Sequence, residues 1–217
     1  MDVLADGTLL VLHDSTLDRT TDRSGRYDHL TAADLAGTDA GSWFSPDFAG
    51  EPLPTLGACL ELARRRRLEI NVELKSTLGG AQAVDLLVAG AADALDEHLA
   101  LAPDRQVLVS SFNPLLLDRM GRRRPGTRLA WLTEALTLGD DWRSVVETVG
   151  AEAVNPADRG LVRSRVQEIR SLGYGVNVWT VNSRTRVNEL FNWGVTGVFT
   201  DRIHELGGLA RPAGDAL

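Results

Sequence analysis

"VLVSSFNPLLLDRMGRRRPGTRLAWL", residues 107–132, contains one complete structural cycle. It opens on a short run rich in valine and serine, passes into a segment of helical period, and closes on a second apolar run at 128–132. The arginines of "RMGRRRPG" (119–126) fall where the helix ends, so their charges complement the negative end of the helix dipole. "VLVSSF" is apolar almost throughout, the mark of a strand covered on both faces. Strand, helix and strand in that order make a βα unit whose strands run parallel.

The same rhythm recurs on both sides. "LEINVEL" (68–74) precedes this cycle, and "AVN" (153–155), "GVNVWTV" (175–181) and "VTGVFT" (195–200) follow it. Thr55 and Ser183 are suited to cap helix N-termini, and Gly173 and Gly194 stand just past helix ends. The cluster "ARRRR" (63–67) again closes a helix before a strand. No Gly-rich dinucleotide fingerprint and no P-loop is present, which favours a (β/α) barrel over the doubly wound nucleotide folds. Polar residues collect at the strand C-termini: Glu73 and Lys75, Ser110, Ser111 and Asn113, Asn155, Thr180 and Asn182, Thr200 and Asp201. In a barrel those ends share one mouth, where active sites are built.

The first residues follow another pattern. "MDVLADGTLLVLHD" (1–14) reads as a hairpin about a two-residue Asp6-Gly7 turn, which would return His13 and Asp14 to the same mouth. Carboxylates such as Asp2 and Glu73 are hard oxygen ligands for Mg²⁺ or Ca²⁺, and Lys75 offers a point charge to an anionic phosphate. A histidine can pass a proton near neutral pH. Metal-assisted phosphoester cleavage fits the set, although "VELK" also reads as an ordinary strand end with a surface ion pair. Arg19, in "LDRTT", can reach a phosphate or order its own loop.

Composition sets the limits. The chain has 217 residues, 43% hydrophobic and 24% charged, which suits one soluble domain. The net charge of −7 excludes a general attraction to nucleic acid, and no segment has the apolar length for stable membrane insertion. Cys59 is the single cysteine and is read as core packing; with no disulfide possible, a cytoplasmic setting is expected. Trp43 and Phe44 read as loop packing, and His29, His98 and His204 as surface residues. The segment 207–217, rich in Gly, Ala and Pro, reads as a flexible tail after a domain of residues 1–206.

Six segments, "DVLADGTLLVLHDSTLDRTTDRSGR" (2–26), "DAGSWFSPDFAGEPLPTL" (39–56), "INVELK" (70–75), "VSSFNP" (109–114), "VNVWTVN" (176–182) and "GVTGVFTDR" (194–202), resemble the glycerophosphodiester phosphodiesterases in the family's order. The resemblance implies a TIM-type (β/α)8 barrel that hydrolyses glycerophosphodiesters to glycerol 3-phosphate and an alcohol with help from a divalent cation, Mg²⁺ or Ca²⁺. It implies Asp2 and Glu73 as metal ligands, Lys75 as a phosphate contact, His13 as proton donor to the leaving alcohol and Trp179 as an aromatic wall. The family pattern begins with a His-Arg-Gly strand, a helix and the glutamate of E-x-D. Met1 falls on the x, so the expected barrel is N-terminally incomplete, and its open edge invites self-association. Two readings follow: an enzyme acting on a small-molecule phosphodiester, or an inactive or partner-completed module of the same fold.

Overall fold

The computed structural model describes residues 1–75 and 78–206, so the expected tail at 207–217 lies outside the described residues. All six expected strands form: β3 (Ile70–Glu73), β4 (Val107–Ser111), β5 (Arg128–Thr133), β6 (Ala153–Pro156), β7 (Gly175–Val178) and β8 (Gly197–Val198). They make one six-stranded sheet whose order follows the chain, as successive right-handed βα units require. The fold class is α/β. Between the strands run α1 (Leu56–Arg66), α2 (Gly80–Leu101), α3 (Pro114–Arg123), α4 (Trp142–Val149), α5 (Arg163–Ser171), α6 (Arg184–Trp193) and, after β8, α7 (Ile203–Leu206).

The chain divides into two compact units, Met1–Val109 with Arg119–Thr127, and Ser110–Asp118 with the chain from Arg128 onward. In the first, β1 (Asp2–Val3) and β2 (Leu9–Leu10) pair antiparallel, with Asp2 opposite Leu10. The hairpin turn differs from the expected one. Leu4 N–H bonds the Thr8 carbonyl around three residues, and Gly7 takes the left-handed φ of +86° that ends such a loop. Leu4, Leu10, Leu12, Leu17, Tyr27 and Leu35 form the core beneath the hairpin and the long loop that follows it. α1 starts on Thr55, whose hydroxyl accepts from Ala58 N–H at 3.2 Å, as its sequence position suggested. α2 packs on α1 and on the hairpin, where Gly90 lets the Leu9 side chain approach closely.

In the second unit β5, β6, β7 and β8 pair parallel, with Ala130 opposite Ala153, Ala153 opposite Gly175 and Asn177 opposite Gly197. Leu129, Ala130, Val154, Val176 and Val178 are buried between the flanking helices. α6 starts on Ser183 and stops on Gly194, whose φ of +101° is open to glycine at little cost.

Candidate active site

The end of β3 carries Glu73 and, two residues on, Lys75; strand alternation turns both to one side, with Lys75 Nζ 3.9 Å from Glu73 Oε1. The backbone of Met1 is stitched to this strand end. Its amino group donates to the Glu73 carbonyl at 2.6 Å, and Lys75 N–H donates to the Met1 carbonyl at 3.0 Å. Val11–His13 follow β2 and face the same space. The result is a cavity of about 310 Å³ lined by Glu73, Lys75 and His13 together with Asn71, Met1 and an apolar wall that includes Leu56, Leu60 and Val72. Three of the expected site residues therefore share one cavity.

Asp2 is not among the residues lining it. Its carboxylate is buried, accepting from Val3 N–H at 2.8 Å and from the Tyr27 hydroxyl at 3.1 Å. Burial, with the neighbouring Asp2 charge, pushes the Tyr27 phenol well above its ordinary range, so it remains a donor at any working pH. Cys59, expected in the core, is half-buried on α1 and lines the cavity, and burial raises its thiol.

His13 stands exposed with its Nδ1 2.7 Å from Asp14 Oδ1. Arg19 forks onto the same carboxylate, Nε to Oδ2 at 2.6 Å and Nη2 to Oδ1 at 2.9 Å. The hydrogen bonds from Arg19, then that with His13, hold the Asp14 carboxyl far below the usual carboxylate range. Arg19 also lies over the Trp43 ring, 5.9 Å from its centroid. Trp43 and Phe44, read as loop packing, do pack within their own loop while keeping much of their surface exposed. Phe44 is 70% exposed, and Trp43, Phe44 and Phe48 meet chiefly one another, edge to face. Asp39 organises their loop, accepting from the N–H groups of Gly41, Ser42 and Gly50.

Trp179 belongs to the second unit. Its indole N–H donates to the Asn155 carbonyl at 2.8 Å, and Phe112 packs edge-on against it at 5.4 Å. Asn155 accepts from Asn177 Nδ2, and Asn177 Oδ1 accepts from the Thr196 hydroxyl. Asn182 Oδ1 accepts from Thr200 Oγ1 and Asp201 N–H, so these polar strand ends knit together.

The donors suit a divalent ion in kind, since Mg²⁺ and Ca²⁺ take carboxylate oxygens. They fall short in number. Glu73 is the carboxylate presented to the cavity, both Asp2 oxygens are engaged elsewhere, and among the described residues no group of three His, Cys, Asp or Glu is placed to hold a metal. Nor, among them, is any helix long and apolar enough to cross a membrane.

Comparison with known proteins bears on what this geometry serves. The sequence profile described as the Glycerophosphoryl diester phosphodiesterase family matches residues 1–205. A Glycerophosphodiester phosphodiesterase of Bacillus subtilis is 31% identical over 210 residues, covering 90% of this chain and 70% of that protein. One from Caldanaerobacter subterraneus is 28% identical, covering 96% of this chain and 83% of its own. A phosphodiesterase of Oleispira antarctica, solved in complex with the product sn-glycerol-3-phosphate, superposes with a TM-score of 0.88 at 26% identity, over 94% of this chain and 80% of that one.

Proposed function

The chain belongs to the glycerophosphoryl diester phosphodiesterase family, and on that premise we propose that it hydrolyses small glycerophosphodiesters to sn-glycerol 3-phosphate and an alcohol. The observation that carries the reading is the single cavity shared by His13, Glu73 and Lys75. The Lys75 ammonium offsets the charge of the phosphoryl oxygens as a point charge. Water supplies the incoming oxygen and releases a proton to solvent as its bond to phosphorus forms. His13 gives a proton to the alcohol oxygen as its bond to phosphorus breaks, which spares the cost of expelling an alkoxide. Glu73 is the carboxylate that Mg²⁺ or Ca²⁺ would take, while Asp2 is buried and does not line the cavity. The single thiol accords with a cytoplasmic setting. The position of β3 and β8 at the two ends of the sheet order supports self-association through an edge, although Met1 covers the end of β3.

The test is release of sn-glycerol 3-phosphate from glycerophosphocholine by the purified chain, in Mg²⁺, in Ca²⁺ and after chelation. Turnover that falls at least ~100-fold in His13→Ala and in Glu73→Ala is expected. The engagement of Asp2 by Tyr27 favours the second reading, a module that binds without turnover. Product binding by the purified chain with no release above the His13→Ala background would decide for that reading.

A further inference from the structure

His13 lines the cavity, whereas Asp14 and Arg19 do not. Yet Asp14 is bonded to His13, and Arg19 to Asp14. The loop after the hairpin folds back on itself, Leu17 N–H bonding the Gly25 carbonyl and Thr16 bridging Arg26, with the Leu17 side chain buried beneath. This return brings the Arg19 guanidinium onto Asp14, five residues earlier. Ion pairs near the surface contribute little to stability, so a two-bond fork between an exposed Arg19 and a partly exposed Asp14 has no evident folding role.

Its chemistry is more telling. An ionised carboxylate only accepts, so the 2.7 Å contact requires the proton on His13 Nδ1. With Nδ1 committed to Asp14, Nε2 is the nitrogen that takes up a second proton to form the imidazolium and gives that proton away. Arg19 holds the acceptor in place with Nε and Nη2, and its Cζ lies 5.9 Å from the centroid of Trp43, which is itself pinned by an indole N–H to the Ala40 carbonyl at 2.9 Å. Two of the five guanidinium N–H groups are spent on Asp14, and Arg19 is not among the residues lining the cavity, whereas Lys75 is.

We propose that Asp14 and Arg19 are positioning residues that fix the tautomer and direction of the His13 ring, so that Nε2 delivers the proton to the departing alcohol and Arg19 serves His13 rather than the phosphate. The proposal rests on the assignment of His13 as proton donor.

Leaving-group dependence tests it. On glycerophosphocholine, whose alcohol departs poorly without a proton, Asp14→Ala and Arg19→Ala are expected to lower kcat by about 10-fold or more with KM little changed. On the p-nitrophenyl ester of glycerol 3-phosphate, whose leaving group needs no proton, both variants should stay within about 2-fold of the native chain. Arg19→Lys should not restore the first rate, because an ammonium cannot form the fork. Equal losses on both substrates with a raised KM would make Arg19 a phosphate ligand and overturn the proposal. Ring ¹⁵N shifts of His13, assigned by loss of its signals in His13→Gln, read the tautomer without turnover. The Nδ1–H form should dominate in the native chain and give way to Nε2–H in Asp14→Ala; unchanged shifts overturn the proposal. If the native chain turns over neither substrate, the hydrolase reading fails while the ring shifts still decide the tautomer.

Discussion

Replacing His98 by leucine should stabilise the protein, and more so in acid. His98 lies near the end of α2 with only 2% of its surface exposed, and neither ring nitrogen has a partner among the described residues. It lines a cavity of about 160 Å³ with Glu61 and Arg64 of α1 and its neighbour Glu97. A buried polar group left without a bond costs about 1–3 kcal/mol, and leucine fills similar space without that cost. His98→Leu is therefore expected to gain about 1–3 kcal/mol at pH 7.5, where the ring is neutral, or ~2–4 °C in Tm for each kcal/mol at this chain length. Burial first, and Arg64 second, lower the His98 pKa from its ordinary 6.5. Below that value the unfolded chain takes up a proton that the folded ring resists, so stability is lost as pH falls through 6.5, by at most about 1.4 kcal/mol per pH unit from this group. Urea unfolding of both proteins at pH 7.5 and 5.5, followed by circular dichroism, should show the leucine variant ahead at both and the gap wider at 5.5. A native chain more stable at pH 7.5, or a gap that ignores pH, refutes the reasoning.

Gly41→Ala should lower stability by at least ~2 kcal/mol in thermal melts, because a Cβ there runs into the Phe48 carbonyl and the Asp39 loop must shift. Thr55→Ala removes the acceptor for Ala58 N–H and should cost about 1 kcal/mol in urea unfolding. Arg123→Ala breaks one exposed pair with Asp93 and should change stability by less than about 1 kcal/mol. Light scattering across a concentration series should give a mass that rises with concentration; a constant monomer mass would refute edge-strand association.

Much of this was legible in the sequence, and the reasons differ from residue to residue. The six strands announced themselves through β-branched runs, because a strand covered on both faces has no room for polar alternation. Thr55 and Ser183 were readable as caps since the N-terminal donors of a helix need a short polar acceptor. His13, Glu73 and Lys75 were readable as neighbours because strand ends gather side chains from distant positions. His98 was misread as a surface residue. Its spacing from Ala91 and Leu95 places it on the buried stripe of α2, a signal that polarity had masked. The partnership of Asp2 with Tyr27 was not legible, since it depends on how a loop of more than twenty residues closes over the hairpin. The fork of Arg19 on Asp14 depends likewise on the fold-back at Leu17 and Gly25, which no local pattern specifies.

Cys59 gives the molecule a built-in chemical handle. It is the chain's single thiol, and it borders the same cavity as His13 and Glu73. Small alkylating reagents would label one position per molecule, at a pace governed by pH because burial suppresses the thiolate. Any compound seated in the cavity would shield the sulfur. The labelling rate thereby becomes a gauge of occupancy that works for slow substrates, inert analogues and inactive variants alike.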